Sequence, residues 1–77
     1  MKLIEAVGKR VSDLLKERNM KQNHLANLGG IPRSTISVLI AAKRNAVELG
    51  TIYQICATLG ITLKDFFDDP VFNEVTD

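Results

Sequence analysis

Arg33, Ser34, Thr35, Ser37 and Val38 crowd the six positions after Pro32, and Lys43-Arg44-Asn45 follows a few residues later. Side chains of these types bind rather than break bonds. A guanidinium donates to two acceptors of one planar partner at once, and guanine offers O6 and N7 at that spacing in a major groove. Serine donates or accepts and so discriminates weakly. Valine has no hydrogen bond to give and suits only an apolar surface such as a thymine methyl. Lys43 and Arg44 add two cations that any polyanion would attract without regard to its sequence. Thr35 and Ser37 can bond a phosphate or their own helix backbone, and the residues leave both open.

The remaining chemistry-bearing side chains do not assemble into a catalytic set. His24 is the one histidine, and no cysteine or carboxylate stands at ligand spacing beside it, so it reads as a surface residue. Cys56, the one cysteine, lies on an apolar stripe and packs as a small hydrophobe. Asp65, Asp68 and Asp69 lack the glycine turn and distal glutamate of a calcium loop, which leaves them as solvated helix-end carboxylates. Tyr53 reads as core or interface. No catalytic residue, metal site, cofactor or small-molecule substrate is expected.

The elements that must position the binding residues follow from periodicity. Seventy-seven residues make one domain, expected over 1–72, with residues 73–77 as a frayed acidic tail. Leu3, Ile4, Val7, Val11, Leu14 and Leu15 mark one face of a first helix over residues 3–18, closed by Asn19. A short second helix fits Gln22 to Leu28 and ends at Gly29-Gly30. Pro32 suits the first position of a third helix running to Ala41, which packs through Ile36, Leu39 and Ile40. A fourth, Leu49 to Leu59, carries a broad stripe of Leu49, Ile52, Tyr53, Ile55, Cys56 and Leu59, closed by Gly60. Thr62 and Asp65 resemble a capping box opening a fifth helix with Leu63, Phe66 and Phe67, and Pro70 stops it. No stretch alternates as a strand would, so the expected fold is all-α, a compact five-helix domain.

Charge divides along this framework. Residues 1–45 carry nine basic groups against three acidic ones, a balance of +6, while residues 46–77 carry one against six, −5. One surface suits a polyanion and another would be repelled by it. No apolar run approaches the roughly 18 residues that span a bilayer, no signal-peptide h-region is present, and one cysteine needs no oxidising compartment. A cytoplasmic protein without membrane association is expected.

Within the twenty residues Gln22 to Ala41, the requirements of a helix-turn-helix fall at consistent spacing. Leu25 and the small Ala26 lie where the first helix meets the second, Gly30 occupies the turn, and Ile36 and Leu39 face back into the core. With the segments KQNHLANLGGIPRSTISVLI, AAKRN and TIYQICATLGITLKDFF, residues 10–67 resemble the Cro/repressor (Xre-type) family. The resemblance implies a lambda-repressor-like five-helix fold and a sequence-specific regulator, a repressor, of double-stranded DNA. It implies base contacts from Arg33, Ser34 and Val38, a phosphate contact from Gln22, and a phosphate-tracking loop at Lys43, Arg44 and Asn45.

Several positions depart from the family pattern. Lys21 and Glu48 stand where capping hydroxyls are usual, Gly29 where a space-filling side chain is common, Ala42 where glycine is common, and Val47 where proline is. Phe66, Phe67, Val71 and Phe72 form a C-terminal apolar cluster expected to finish the core and to serve as a homodimer interface. The alternative reading is a protein-interaction module on the same fold, an antitoxin or anti-repressor.

Overall fold

Each apolar stripe becomes the buried face of a helix. A computed structural model describes residues 1–76. It contains α1 (Leu3–Glu17), α2 (Gln22–Gly29), α3 (Arg33–Ile40), α4 (Leu49–Leu59), α5 (Leu63–Phe67) and a 3₁₀ turn (Pro70–Glu74). No strand occurs among the described residues. The fold is the all-α, five-helix arrangement expected from periodicity.

α1 forms the floor of the molecule. Ile4, Val7, Val11, Leu14 and Leu15 recur at helical spacing and are buried against the other helices. Glu5 accepts the Lys2 backbone N–H at 2.8 Å, placing a negative charge in the first turn, where the helix dipole favours it. Asn19 closes the other end at φ +52°, a left-handed conformation that asparagine tolerates. Arg10 leaves the polar side of α1 to reach the far end of the chain. Its guanidinium donates to the backbone oxygens of Phe66 (2.8 Å) and Asp65 (2.9 Å) and pairs with Asp69 at 3.2 Å.

α2 and α3 pack through Leu25, Ala26, Ile36 and Leu39, all buried. Between them Gly30 turns the chain at φ +63°, and the Ile31 N–H donates to the Ala26 oxygen at 3.1 Å. Pro32 precedes α3 instead of opening it. Its φ of −56° would suit either place, but ψ of 133° is extended, so its carbonyl receives the first helical N–H groups, from Thr35 and Ile36. Ala41 is likewise the C-terminal cap, so the regular helix is shorter than the expected Pro32–Ala41.

α4 buries Ile52, Ile55, Cys56 and Leu59 but not the rest of its stripe: Leu49 is 69% exposed and Tyr53 61%. α5 starts as expected, the Thr62 hydroxyl accepting the Asp65 N–H at 3.0 Å. The helix already ends at Phe67, with Asp68 as its cap, so Pro70 opens the 3₁₀ turn instead of stopping α5, and the Asp69 carboxylate accepts the Val71 N–H at 2.9 Å.

The expected frayed tail differs from what the structure holds. Asn73 and Glu74 complete the 3₁₀ turn, the Met1 amine donates to the Glu74 oxygen at 3.0 Å, and the Thr76 N–H donates to the Met1 oxygen at 3.0 Å. Two chain ends that lie close in space satisfy each other's backbone groups, a pairing invisible to local sequence. Asp77, the last residue of that expected tail, lies outside the described residues.

Candidate nucleic-acid interface

The burial of Ile36 and Leu39 decides which side of α3 is outside. Ser34 and Ser37 lie roughly 130–170° around the helix from the centre of that stripe and Arg33 about a quarter turn from it, and all three are exposed. Thr35 and Val38 are half-buried. Gln22, in the first turn of α2, is also half-buried, while Lys43, Arg44 and Asn45 are exposed on the loop.

Ser34, Thr35, Val38 and Arg44 line one open cleft of about 360 Å³, together with Glu48 and Thr51. Here the outer face of α3 meets the loop cation. Arg33, Ser37 and Lys43 are not part of its lining, and Asn45 lines a neighbouring apolar groove with Leu3, Val7, Leu49, Ile52 and Phe67. Glu48 and Thr51 were not among the expected site residues. The one signal in the sequence was that Glu48 departs from a capping hydroxyl; it forms no side-chain cap on α4.

Among the described residues, ion pairs form at Lys9–Asp13 and Arg10–Asp69, and Arg33, Lys43 and Arg44 have no such partner. Cations held in solvent beside an open helix face are available to a polyanion. Ala42, which launches the loop, sits at φ +53°, a left-handed conformation costly for a residue with a Cβ. Its N–H donates to the Leu39 oxygen and that of Lys43 to Val38, both at 3.1 Å, so the loop leaves directly from the last turn of α3.

The aromatic cluster is arranged differently from the expected interface. Phe66 is fully buried and Val71 is 4% exposed, so neither offers surface to a partner. The reason is size: a domain this small has few large side chains, and the Phe66 ring fills its interior. The 3₁₀ turn brings Val71 down in the same way. Phe72 is half-buried with its ring 5.1 Å from that of Phe67, which remains 41% exposed. The large exposed apolar side chains are instead Leu49, Tyr53, Leu28, Leu3, Phe67 and Met1.

Cys56 is buried among α4 side chains, and burial pushes its thiol above the ordinary value. No three side chains of His, Cys, Asp or Glu gather as a metal site among the described residues.

Known proteins place this geometry in context. A crystal structure of the prophage Lp1 protein 11 superposes with a TM-score of 0.82 at 36% identity, covering 97% of this chain and all of that one. A point mutant of the restriction-modification controller protein C.Esp1396I has the same fold, with a TM-score of 0.82 at 22% identity over 96% of this chain and 94% of its own. The HTH-type transcriptional regulator PuuR of Escherichia coli (strain K12) is 29% identical over 65 residues, as is that of Shigella flexneri. That match takes in 84% of this chain, which spans about a third of the length of those relatives, 35%. Residues 10–70 match the profile of the Cro/C1-type HTH DNA-binding domain, and with its outward α3 and the turn at Gly30 the chain belongs to that family.

Proposed function

We propose that this chain binds double-stranded DNA sequence-specifically and regulates transcription, as a repressor that acts by occupying its site in the cytoplasm. α3 enters the major groove; Arg33, Ser34 and Val38 meet base edges. Gln22, Thr35, Ser37, Lys43, Arg44 and Asn45 contact the backbone. The observation that carries this reading is the cleft in which Ser34 and Val38 of α3 stand beside the Arg44 cation, within a domain of a DNA-binding family.

The backbone of the described residues spans 33 Å along its longest axis and presents one α3, whereas successive major grooves on one face of a duplex lie roughly 34–36 Å apart. A two-fold pair therefore suits a near-palindromic site. Leu49, Tyr53 and Phe67 supply its apolar contact, in place of the buried Phe66 and Val71.

Selection from a random duplex pool at near-physiological salt tests the function. An inverted repeat should be enriched, and affinity for it should fall with salt at a log–log slope of about −0.9 per phosphate neutralised. Salt-sensitive binding with no enriched sequence would instead favour the protein-interaction module, for which the exposed Leu49 and Tyr53 are the supporting observation.

A further inference from the structure

α1 meets the end of α3 at Gly8, a buried residue inside a fifteen-residue helix. Glycine weakens a helix interior relative to alanine, so helix formation does not account for it. The contact does. A Cβ at position 8 would stand 2.5 Å from the Leu39 carbonyl oxygen and 3.1 Å from that of Ile40, and Cβ contacts under 3.0 Å are essentially never formed. The obstacle is backbone, so no rotamer change relieves it; one helix has to move.

The atoms Gly8 touches also carry the DNA-facing surface. The Leu39 oxygen accepts the Ala42 N–H, at the left-handed residue from which Lys43, Arg44 and Asn45 depart. Displacing that carbonyl tilts α3 and redirects the basic loop together. Gly50 is the contrasting case: it lies in α4, and a Cβ there would meet nothing within 4 Å.

We propose that Gly8 is a positioning residue of the DNA interface, its bare backbone seating the last turn of α3 so that Arg33, Ser34 and Val38 stay in register with Lys43 and Arg44. The inference rests on the reading of α3 as the base-contacting helix. It is tested with two probes, the duplex enriched by the wild-type chain and a scrambled duplex of the same composition. Lost stability lowers the folded fraction and weakens both affinities by the same factor, so their ratio isolates geometry.

Gly50→Ala should keep the wild-type ratio, and it supplies a background whose added helix propensity supports the fold. Gly8→Ala in that background, with helix content followed by circular dichroism, should lower the ratio at least fivefold. A smaller fall overturns the role of Gly8. If the wild-type chain enriches no sequence at all, the reading of α3 fails, and the Gly8 proposal fails with it.

Discussion

Arg33 and Lys43 are both exposed cations, yet they are expected to do different work on a duplex. A guanidinium at the start of α3 can grip two acceptors of one base, whereas an ammonium on the loop is a point charge for a phosphate. Arg33→Ala should therefore cost about 1–3 kcal/mol on the selected duplex and relax preference at one position per half-site. Lys43→Ala should weaken all duplexes alike and reduce the salt slope by about one. Titrations of both variants against matched and mismatched duplexes separate these effects, and an Arg33→Ala chain that kept full preference would remove its base-reading role. Cys56 makes a different kind of test. Because burial disfavours its thiolate, its folded-state pKa lies above the ordinary 9.0. Its contribution is fully present below the unfolded value and declines as pH rises through the folded one. The stability advantage of wild type over Cys56→Ala should hold steady up to about pH 9 and shrink above it. Urea unfolding at pH 7 and pH 10 measures this; an undiminished advantage at pH 10 contradicts it.

At the scale of elements, the helices were legible wherever a stripe of apolar residues recurred, as in α1, because burial of that stripe is what holds the helix. Their ends were less so. Pro32 has the same φ inside or just outside a helix, and only the path of the preceding turn selected ψ and made it a cap. The step out of α3 shows the reverse: the departure at Ala42 from a common glycine marked a real conformational demand, since φ there is +53°. Ala42→Gly should stabilise the domain by about 1 kcal/mol, with DNA preference unchanged. Thermal unfolding checks the first part, and an unaltered or lower midpoint would show that chain entropy gained by the unfolded glycine matches or outweighs the relieved strain.

At the scale of the molecule, the apolar stripe of α4 is wider than the core can cover. Ile52, Ile55, Cys56 and Leu59 face inward, Leu49 and Tyr53 are left in solvent, and Leu49 shares an apolar groove with the exposed Phe67. For a proposed two-fold pair this face is the contact, and a charge in its middle would be buried without a partner. Leu49→Glu should shift sedimentation toward the monomer and weaken binding to a two-half-site duplex far more than to a single half-site. A variant that sediments unchanged would move the interface elsewhere. The charge split has a molecular counterpart as well. Arg10, one of the basic groups in the first half, spends its charge internally on Asp69 and two carbonyls, so the outward cations are fewer than composition suggests.

The chain's own order of residues determined the helices, the turn at Gly30 and the outward set on α3, because each depends on neighbours within a few positions. Tertiary structure alone decided which aromatics were core. Phe66 and Phe67 are adjacent and chemically identical, and only the packing of α1, α4 and the 3₁₀ turn around one ring buries the first and exposes the second. It also joined residues 1 and 76, and set a bare glycine of α1 beneath the carbonyls that end α3. Contacts between distant segments leave no periodic trace in a sequence, since what they require is a shape that exists only after the chain has folded.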